Sequence, residues 1–459
     1  MSKTIETGAE ATIRAANLHR RQIIKAAVAG VAAIGLPASP VLGQARKFAG
    51  VTLQGAAFQH AFHLALREWL PELEAETGLK VNFELQSNPI YNQRMDLELS
   101  TKGSAYDFCN IGTPWCGRWI SSGWMTPLDE FVGNANVTAP DFDAGDFASG
   151  AQAILSDAGG RPYGFAWVAG AILMGVARSD ILEKARIEIP KTADELIEAC
   201  KRTNDPGNTY AFVNDLLHHW EWPPYLMGQG GSIFRNPPDD LMPMLNTPEA
   251  IRAAAVYAEL LSKYSPPGGI SFNDDQAMRF QLSGRANMRT CSIDWLMPLA
   301  KLPDSKVKST MRFAAMPGGK AGSFPAVNAN GFAIPAGAKN KEAAWTFIQW
   351  ALSKKTFLRM TLEKNQIAIP RKSVIANEQY KSAMTVNGQD VGKLYLETVE
   401  ASGPRGYMKY RVMPVFPQVG EKINKAIEQI ASGQMDAKAA MDLAQQAAVA
   451  DIVKAGVKL

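Results

Sequence analysis

The sequence is poor in the residues that build metal and redox centres. Its 459 residues include four cysteines and five histidines, and no cysteine pair has the C-x-x-C spacing of common zinc and redox sites. The adjacent His218 and His219 point in different directions on most backbones. We therefore expect no metal and no cofactor. The cysteines are expected to be buried thiols, with a Cys109–Cys116 disulfide as the alternative in an oxidising compartment.

Enzyme motifs are also missing. H-E-x-x-H, G-x-S-x-G, the phosphate-binding P-loop and the dinucleotide-binding G-x-G-x-x-G do not occur in the sequence. The stretch 141–146 resembles a calcium loop only superficially, because its glycine precedes the third carboxylate and no glutamate occupies the twelfth position. We therefore do not expect an enzyme, although Glu221 and Asp294 leave an exported glycosidase as an alternative.

Charge and long apolar runs are scarce outside the N-terminus. The net charge is +4, and the first 45 residues contribute +3 of it. A near-neutral body has no electrostatic footprint for nucleic acid or an anionic membrane. The apolar run 26–36 is far shorter than the roughly 20 residues that span a bilayer. We expect neither nucleic-acid binding nor stable membrane insertion.

The N-terminus carries the pattern of an export signal. His19-Arg20-Arg21-Gln22-Ile23-Ile24-Lys25 matches the twin-arginine motif, and an apolar run with small residues up to Ala45 follows it. Residues 1–45 are therefore predicted to be a signal peptide cleaved after Ala45, with cleavage after Ala38 as second choice and an uncleaved anchor as the alternative. The mature protein would be exported, to the periplasm if the source is Gram-negative.

The mature chain begins with alternating short strands and helices. Apolar spacing predicts strands at 51–53, 80–85 and 107–111, and helices at about 61–78 and 90–101. This β-α-β-α-β order predicts an α/β sheet with ligand loops at the carboxyl ends of its strands. The apolar run 165–176 is long enough to pass from one sheet into another.

The stretch from His218 to Leu226, followed by a glycine cluster, is the most distinctive. Pro223-Pro224 excludes a central strand and disfavours helix as far as Trp222, so we expect a loop that leads into a short helix. Rings interleaved with polar groups suit a polyhydroxylated ligand, because rings stack on its C–H faces and polar groups bind its hydroxyls. The alternative is a tryptophan-rich turn packed on the core.

Other aromatic residues adjoin polar groups at predicted loops. Trp115 follows a strand end, Trp167 opens the apolar run, and Trp295 stands beside Asp294. Phe58-Gln59-His60 joins the first strand to a helix, whose N-terminus offers free N–H donors. Core packing is the alternative for each. The helical Trp69, Trp345 and Trp350 are interpreted as packing residues.

Nine short motifs occur in the order in which they occur in the extracellular solute-binding proteins of family 1, the group that contains maltose-binding protein. Each motif alone is weak, but nine in order behind an export signal are specific, and the resemblance covers nearly all of residues 48–455. The motifs are Glu76-Thr77-Gly78-Leu79-Lys80-Val81, Gly103-Ser104-Ala105-Tyr106-Asp107, Gly123-Trp124-Met125-Thr126-Pro127-Leu128-Asp129, Pro190-Lys191-Thr192-Ala193-Asp194-Glu195-Leu196, Gly228-x-Gly230-Gly231, Gly284-Arg285-Ala286-Asn287-Met288, Met316-Pro317-Gly318-Gly319, Ile369-Pro370-Arg371-Lys372-Ser373-Val374 and Ala431-Ser432-Gly433-Gln434.

The resemblance implies the α/β, two-lobe periplasmic binding protein type II fold, with hinge-linked lobes that close on a ligand. It places the N-lobe at 46–168 and 325–373 and the C-lobe at 169–324 and 374–459. Together with the aromatic loops, it gives the candidate ligand-binding residues Phe58, Gln59, His60, Thr113, Trp115, Trp167, His219, Trp220, Glu221, Trp222, Asp294, Trp295, Asn328, Asn330 and Arg371. For Arg371, a structural role is the alternative.

The function that the resemblance implies is that of a monomeric periplasmic substrate-binding protein. It would capture a carbohydrate (a small sugar, glycoside, sugar alcohol or substituted sugar) and deliver it to the permease subunits of an ABC importer. The region 413–418 lacks the sugar-stacking tryptophan of maltose-binding proteins, which favours a ligand smaller than a long maltodextrin. Arg371 or His60 would hold an anionic substituent. A polyamine or other organic cation is the alternative, since aromatic cages with carboxylates bind cations too.

Overall fold

The computed structural model describes residues 47–113, 115–403 and 410–459. The predicted signal peptide, 1–45, lies outside the described residues. The strands are β1 (Thr52–Phe58), β2 (Lys80–Gln86), β3 (Phe108–Gly112), β4 (Gly164–Val176), β5 (Tyr210–Phe212), β6 (Phe234–Asn236), β7 (Asp240–Pro243), β8 (Ala286–Ser292), β9 (Arg312–Ala314), β10 (Val327–Ala333), β11 (Thr385–Val386) and β12 (Gln389–Asp390).

Helices alternate with these strands. Those before β8 are α1 (Ala61–Thr77), α2 (Asn88–Ser100), α3 (Cys116–Ser121), α4 (Asp129–Val132), α5 (Ser149–Ile154), α6 (Ser179–Ala185), α7 (Ala193–Thr203), α8 (His218–Glu221), α9 (Pro223–Gly228), α10 (Pro248–Lys263) and α11 (Asp274–Leu282). Those after β8 are α12 (Ile293–Lys301), α13 (Lys341–Ala351), α14 (Lys354–Lys364), α15 (Lys372–Ile375), α16 (Glu378–Met384), α17 (Val391–Ser402), α18 (Phe416–Ala431) and α19 (Ala437–Lys454).

Local sequence signals set the ends of the early helices. The N–H of Phe62 donates to His60 Nδ1 at 3.1 Å, which caps the start of α1. Gly78 ends α1 in the left-handed conformation, with φ at 78°, where a glycine has no Cβ to strain. Thr192 and Glu195 form a capping box at the start of α7. These signals act within a few residues, so the sequence alone predicts them.

The predicted β-α-β-α-β order at the start of the chain is confirmed. β1 pairs in parallel with both β2 and β3, and α1 and α2 connect them. β10 joins antiparallel to β3, although it comes about 215 residues later in the chain. The carboxyl ends of β1 and β3 therefore lie at one edge of the sheet, where ligand loops of open α/β sheets lie.

The strand β4 connects two groups of strands. Its first part, 164–171, pairs with β10, and its second part, 172–176, pairs with β8 and β9. β8 in turn pairs in parallel with β5. Every residue of β4 except Val168 is buried, as in strands covered on both faces. The long apolar run thus passes from one group of strands to the other, as its length predicts.

The tryptophan-rich stretch is more helical than expected. His218–Glu221 forms α8, and α9 begins directly at Pro223. Trp222 between them is itself right-handed helical (φ −76°, ψ −37°), and its N–H donates to the His218 carbonyl at 2.8 Å. The prediction of a loop up to Trp222 was therefore wrong. The restriction before proline is a local bias, and burial of the stretch outweighs it.

The interior contains the residues predicted to pack there. Trp69 and Trp345 are buried, and Trp350 is half-buried. Cys109, Cys116, Cys200 and Cys291 are buried free thiols, so the structure forms no Cys109–Cys116 bridge. Within the described ranges, no helix combines the length and apolar character needed to cross a membrane.

Candidate functional site

Two polar side chains lie on one face of β10, the strand that pairs with β3 and with the first part of β4. Asn328 and Asn330 are two residues apart on β10, so their side chains point to the same face. Asn328 pairs with Gly170 of β4, and Asn330 pairs with Gly112 of β3. Because a Cβ at Gly112 would overlap Asn330 Oδ1, the glycine lets this amide lie flat over β3. Asn328 Oδ1 is buried and has no hydrogen-bond partner among the described residues.

The other group of strands contributes Ser292 and Asp294 to the same place. A Cβ on Gly170 would lie 2.8 Å from Ser292 Oγ and 3.3 Å from Asp294 Oδ2. Residues paired across strands share a face, so these oxygens lie on the face that carries Asn328. The hydroxyl of Ser292 donates to Asp294 Oδ2 at 3.1 Å. Polar groups from strands that pair with the two parts of β4 thus converge at Gly170.

The carboxyl group of Asp294 lies in a recess. Its side chain is accessible to solvent, yet the surrounding protein removes enough water to raise the pKa of Asp294 to about 6, against the lowering effect of the Ser292 hydrogen bond. Burial disfavours the charged form of a carboxyl group. An accessible but poorly hydrated carboxylate is a strong hydrogen-bond acceptor for a ligand that displaces water.

An aromatic cluster lies at the carboxyl end of β1. The ring centroid of Trp167 is 4.7 Å from that of His60 and 6.1 Å from that of Phe58. The indole Nε1 of Trp167 donates to Asn110 Oδ1 at 2.8 Å, and Trp167 is 1% exposed. Burial lowers the pKa of His60 to about 4. Trp167 is therefore a wall of this cluster, and His60 is neutral at pH 7, where it cannot hold an anion by charge.

Four other candidates lie at loop and helix ends with no shared contact. Gln59 is exposed after β1, whereas Trp115 precedes α3 and Trp295 lies in the first turn of α12, both half-buried. Thr113 is buried, and its Oγ1 donates to the Ala329 carbonyl at 3.4 Å. Gln59, Trp115 and Trp295 keep accessible surface for a ligand, while Thr113 ties the β3 end to β10.

A second recess is lined by His219 and by residues of the C-terminal part of the chain. The cavity measures about 220 Å³, and Arg411, Phe416, Glu421 and Asn424 line it with His219. The N–H of His219 donates to Asn424 Oδ1 at 2.7 Å. Burial, reinforced by the charge of Arg411, lowers the pKa of His219 to about 4. His219 is therefore neutral at pH 7 and fixed in position by Asn424.

The guanidinium of Arg411 packs on aromatic rings. Its Cζ lies 4.2 Å from the ring centroid of Trp220 and 5.6 Å from that of Phe416. The residue is 6% exposed, and its Nε and Nη1 have no hydrogen-bond partner among the described residues. Trp220, 9% exposed, thus serves mainly as the support of Arg411.

Two residues of the tryptophan-rich stretch belong to the interior. Trp222 has no exposed surface, and Glu221 is 1% exposed. Burial, together with the negative charge of Asp215, raises the pKa of Glu221 well above its usual value. Arg289 nearby pairs with Asp215 at 3.0 Å. The geometry corrects the expectation of ligand contacts from Glu221 and Trp222, because the side chains of α8 and α9 turn into the core.

Arg371 is likewise a structural residue. It has no exposed surface, and its Nη1 donates to Asp146 Oδ2 at 3.0 Å. Its Nε and Nη2 donate to the carbonyls of Leu352 (2.7 Å) and Phe142 (2.6 Å). Burial alone would raise the pKa of Asp146, but hydrogen bonds from Ser373 and Arg371 outweigh it and hold the pKa below its usual value. Arg371 is therefore not free to hold a ligand, and the structural alternative applies.

The sequence reading missed Ser292, Arg411 and Asn424. Ser292 stands two residues before Asp294 at the end of β8, where its Oγ lies beside Gly170 of β4. Arg411 and Asn424 flank the region 413–418, which was singled out only for its missing tryptophan. No local pattern marks Arg411, because its recess is assembled from segments about 190 residues apart.

The described residues contain no cluster of three or more histidine, cysteine, aspartate or glutamate side chains that could hold a metal ion. The family model of the bacterial extracellular solute-binding proteins matches residues 59–356. This match spans more than half of the chain and both groups of strands. The resemblance stated from the nine motifs is thereby confirmed.

Similar proteins were found among both curated sequences and solved structures. The erythritol/L-threitol-binding protein of Mycolicibacterium smegmatis is 23% identical over 429 residues, which cover 83% of this chain and 86% of that protein. The mannitol-binding protein of Pseudomonas aeruginosa is 23% identical over 411 residues, which cover 83% and 88%. An ABC transporter solute-binding protein from Agrobacterium radiobacter K84, solved in complex with ribitol, is 25% identical, covers 87% of this chain and 98% of that chain, and has a TM-score of 0.72. These likenesses confirm the α/β fold of the two-lobe solute-binding proteins.

Proposed function

The chain belongs to the bacterial extracellular solute-binding proteins, and from this premise we propose that it captures a small carbohydrate, such as a sugar alcohol or a short sugar, for an ABC importer. Two of the relatives described above are named for the binding of erythritol or L-threitol and of mannitol, and the third was solved in complex with ribitol. These ligands share a chain of hydroxyl groups, each of which donates and accepts hydrogen bonds. A binding site for them needs paired polar groups rather than catalytic ones.

The observation that carries the proposal is the convergence at Gly170. Asn328 Oδ1 is buried and has no partner within the described ranges, and the Asp294 carboxyl group lies beside Gly170, the residue that pairs with Asn328. A buried acceptor that lacks a donor costs stability, and a ligand hydroxyl would supply that donor. Asp294 would accept a second, stronger hydrogen bond.

The position of these groups links binding to closure. Asn328 and Asn330 belong to β10, which pairs with β3 and with the first part of β4, whereas Asp294 and Trp295 follow β8. A ligand held by both sets would pull the two lobes together, with boundaries at 46–168 and 325–373 against 169–324 and 374–459. Ligand binding would thus shift the population from open to closed forms. The closed monomer would dock on the permease.

Export would bring the protein to its site of action. The twin-arginine motif at 20–21 supports transport of the folded chain to the periplasm, followed by cleavage after Ala45. Both the pathway and the cleavage site are testable by N-terminal sequencing of the protein recovered from the exported fraction.

The two alternatives have weaker support. A polyamine would meet the unpaired guanidinium of Arg411 in the second recess, which repels cations. A glycosidase would need an accessible carboxyl pair, but Glu221 is 1% exposed and solute-binding is the family's role. The geometry therefore favours carbohydrate binding without catalysis.

A thermal-shift screen of the exported chain tests the proposal. The panel contains erythritol, ribitol, mannitol, monosaccharides, maltose and two polyamines. A ligand that binds only the folded state stabilises it by about 2.7 kcal/mol at 100 times its Kd, so a sugar alcohol or monosaccharide should raise Tm by several degrees. A shift with the polyamines alone would overturn the carbohydrate proposal.

A matched pair of variants then tests the site. Asn328→Ala removes the unpartnered acceptor and should weaken binding about tenfold, without loss of stability. Asn82→Ala is the control, because Asn82 lies at the surface and its Nδ2 donates only to Gln54 Oε1, at 2.9 Å. Equal affinity in both variants, measured by titration calorimetry, would remove Asn328 from the site.

A further inference from the structure

The second recess contains a positive charge that has no ion-pair partner in the part of the chain that the structure describes. Arg411 is 94% buried, since its exposed fraction is 6%. None of the ion pairs among the described residues includes Arg411, although Arg289 and Arg371, the other fully buried arginines, each pair with an aspartate. An arginine stays charged in proteins. A buried charge without a counterion is costly, and such charges are normally paired.

Two donors of Arg411 also lack acceptors. Among the residues that the structure describes, its Nε and Nη1 are buried without a hydrogen-bond partner, while Trp220 and Phe416 cover the guanidinium with their rings. Ring faces attract a cation, but they do not accept the directed hydrogen bonds of a guanidinium fork. Each of these N–H groups can donate to an oxygen of a carboxylate, sulfonate or phosphate. The rings hold this fork in one orientation.

The recess lies beside the predicted ligand loops. A Cβ at Gly117 of α3 would overlap the Val412 carbonyl, so the backbone next to Arg411 rests directly on the helix that follows Trp115. On the other side, His219 of α8 lines the cavity. Glu421 is the other charged residue in the lining, and the ion pairs of the described residues include none between it and Arg411. Arg411 therefore lines a recess between α8 and α18, beside the helix that follows Trp115.

We propose that Arg411 is a specificity-determining residue that binds an anionic group, so that the ligand is an acidic polyol or sugar, carrying a carboxylate, sulfonate or phosphate. This inference rests on the proposed function and narrows its ligand class. The other groups first considered for an anion do not serve, because Arg371 is saturated by Asp146 and backbone carbonyls. The hydroxyls of the ligand would bind Asn328 and Asp294, and its anionic end would bind Arg411.

The test compares neutral and anionic polyols of equal length by titration calorimetry. The panel is D-glucitol, D-gluconate and D-glucitol 6-phosphate, measured at low and high ionic strength. The wild type should bind at least one anion roughly 100-fold more tightly than D-glucitol, as expected for charge-assisted hydrogen bonds. High salt should weaken only the anions. The carboxylate and phosphate arms identify the anionic group.

Variants of Arg411 test whether the preference for an anionic ligand depends on its guanidinium group. Arg411→Gln should weaken binding of the preferred anion about 100-fold and leave D-glucitol within about threefold. Arg411→Lys should retain part of the preference, because the charge remains but the fork is lost. Arg161→Gln is the control, since Arg161 forms a surface pair with Asp129 at 2.9 Å. If Arg411→Gln fails to fold, the wild-type selectivity and the lysine variant decide.

The outcomes separate this inference from the function on which it rests. D-Glucitol binding as tight as that of both anions, or equal losses for neutral and anionic ligands in Arg411→Gln, would overturn the role of Arg411 while the proposed function stands. Failure of the whole thermal-shift panel and of all three polyols to bind would overturn both. Selective anion binding lost in Arg411→Gln supports the inference.

Discussion

Ser292 Oγ donates a hydrogen bond to Asp294 Oδ2 at 3.1 Å, on the side of β4 where Gly170 leaves room for both side chains. The carboxyl group thus lies beside Gly170, the residue of β4 that pairs with Asn328. Its pKa of about 6 makes the charge of this position depend on pH near neutrality. Removal of the Asp294 charge should therefore weaken ligand binding and stabilise the unliganded protein.

We expect Asp294→Asn to stabilise the unliganded protein above pH 6 and to weaken ligand binding there by about tenfold. The folded pKa of this acid lies above its unfolded value, so the folded state binds the extra proton. Wild-type stability contributed by Asp294 is thus present below about pH 4 and is lost as pH rises to about 6. Urea unfolding of both proteins at pH 4 and pH 8 measures the difference.

The control for this prediction is Asp129→Asn, which removes a surface carboxylate paired with Arg161. It should leave ligand affinity unchanged at both pH values. A gain of stability that is equal at pH 4 and pH 8 in Asp294→Asn would show that the charge of Asp294 is not its cause.

Trp222→Ala and Trp295→Ala should separate stability from binding. Trp222 has no exposed surface, so its truncation leaves a cavity and should lower the unfolding free energy by about 3–5 kcal/mol. Trp295 is half-buried in the first turn of α12, and its truncation should cost little stability but weaken binding by roughly tenfold. Chemical unfolding and calorimetry on both variants give the comparison; the reverse pattern would contradict the assignment.

Arg371→Met should destabilise the fold without changing ligand specificity. The substitution leaves Asp146 buried without its guanidinium partner, which costs about 3–5 kcal/mol. Because the pKa of Asp146 is lowered in the folded state, this stabilisation exists above its unfolded pKa and is lost as pH falls. Unfolding at pH 7 and pH 3 measures it, with Arg161→Met as the surface control. A specific loss of ligand affinity in a stably folded Arg371→Met would restore Arg371 to the site.

Glu221→Gln should be tolerated and should become stabilising as pH rises. Burial raises the pKa of Glu221 in the folded state, so the wild type loses stability as pH rises above about 4.5, the ordinary pKa of the group. Glutamine has nearly the same shape and no charge to titrate. Thermal unfolding from pH 5 to pH 8 should show a growing advantage for the variant, and its ligand affinity should equal that of the wild type. A loss of affinity alone would place Glu221 in the site.

The sequence predicts the elements whose causes are local. The Thr192–Glu195 capping box and the glycine end of α1 at Gly78 follow from residues a few positions apart, and the β-α-β-α-β order follows from the apolar spacing within each element. The prediction failed at Trp222, because the bias before proline is weaker than burial of the whole stretch. Rules based on neighbouring residues do not predict how deeply a whole stretch is buried.

The candidate site likewise has a part that the sequence predicts and a part that only packing decides. Chemistry and motif order pointed to Asp294, Asn328 and Asn330, and strand register brings Asn328 and Asp294 to the same glycine of β4. Residue type alone did not distinguish Trp295, which keeps accessible surface, from Trp222, which is buried. Which side chains face the ligand is a property of packing.

The sequence by itself thus determined the family, the α/β class and the polar and aromatic residue types from which a carbohydrate site is built. Only the tertiary structure decided that Arg371 is neutralised by Asp146, while Arg411 has no ion-pair partner among the residues that the structure describes. The two arginines are chemically identical in the sequence. Their difference arises from charges and carbonyls that folding brings together from more than 200 positions away along the chain.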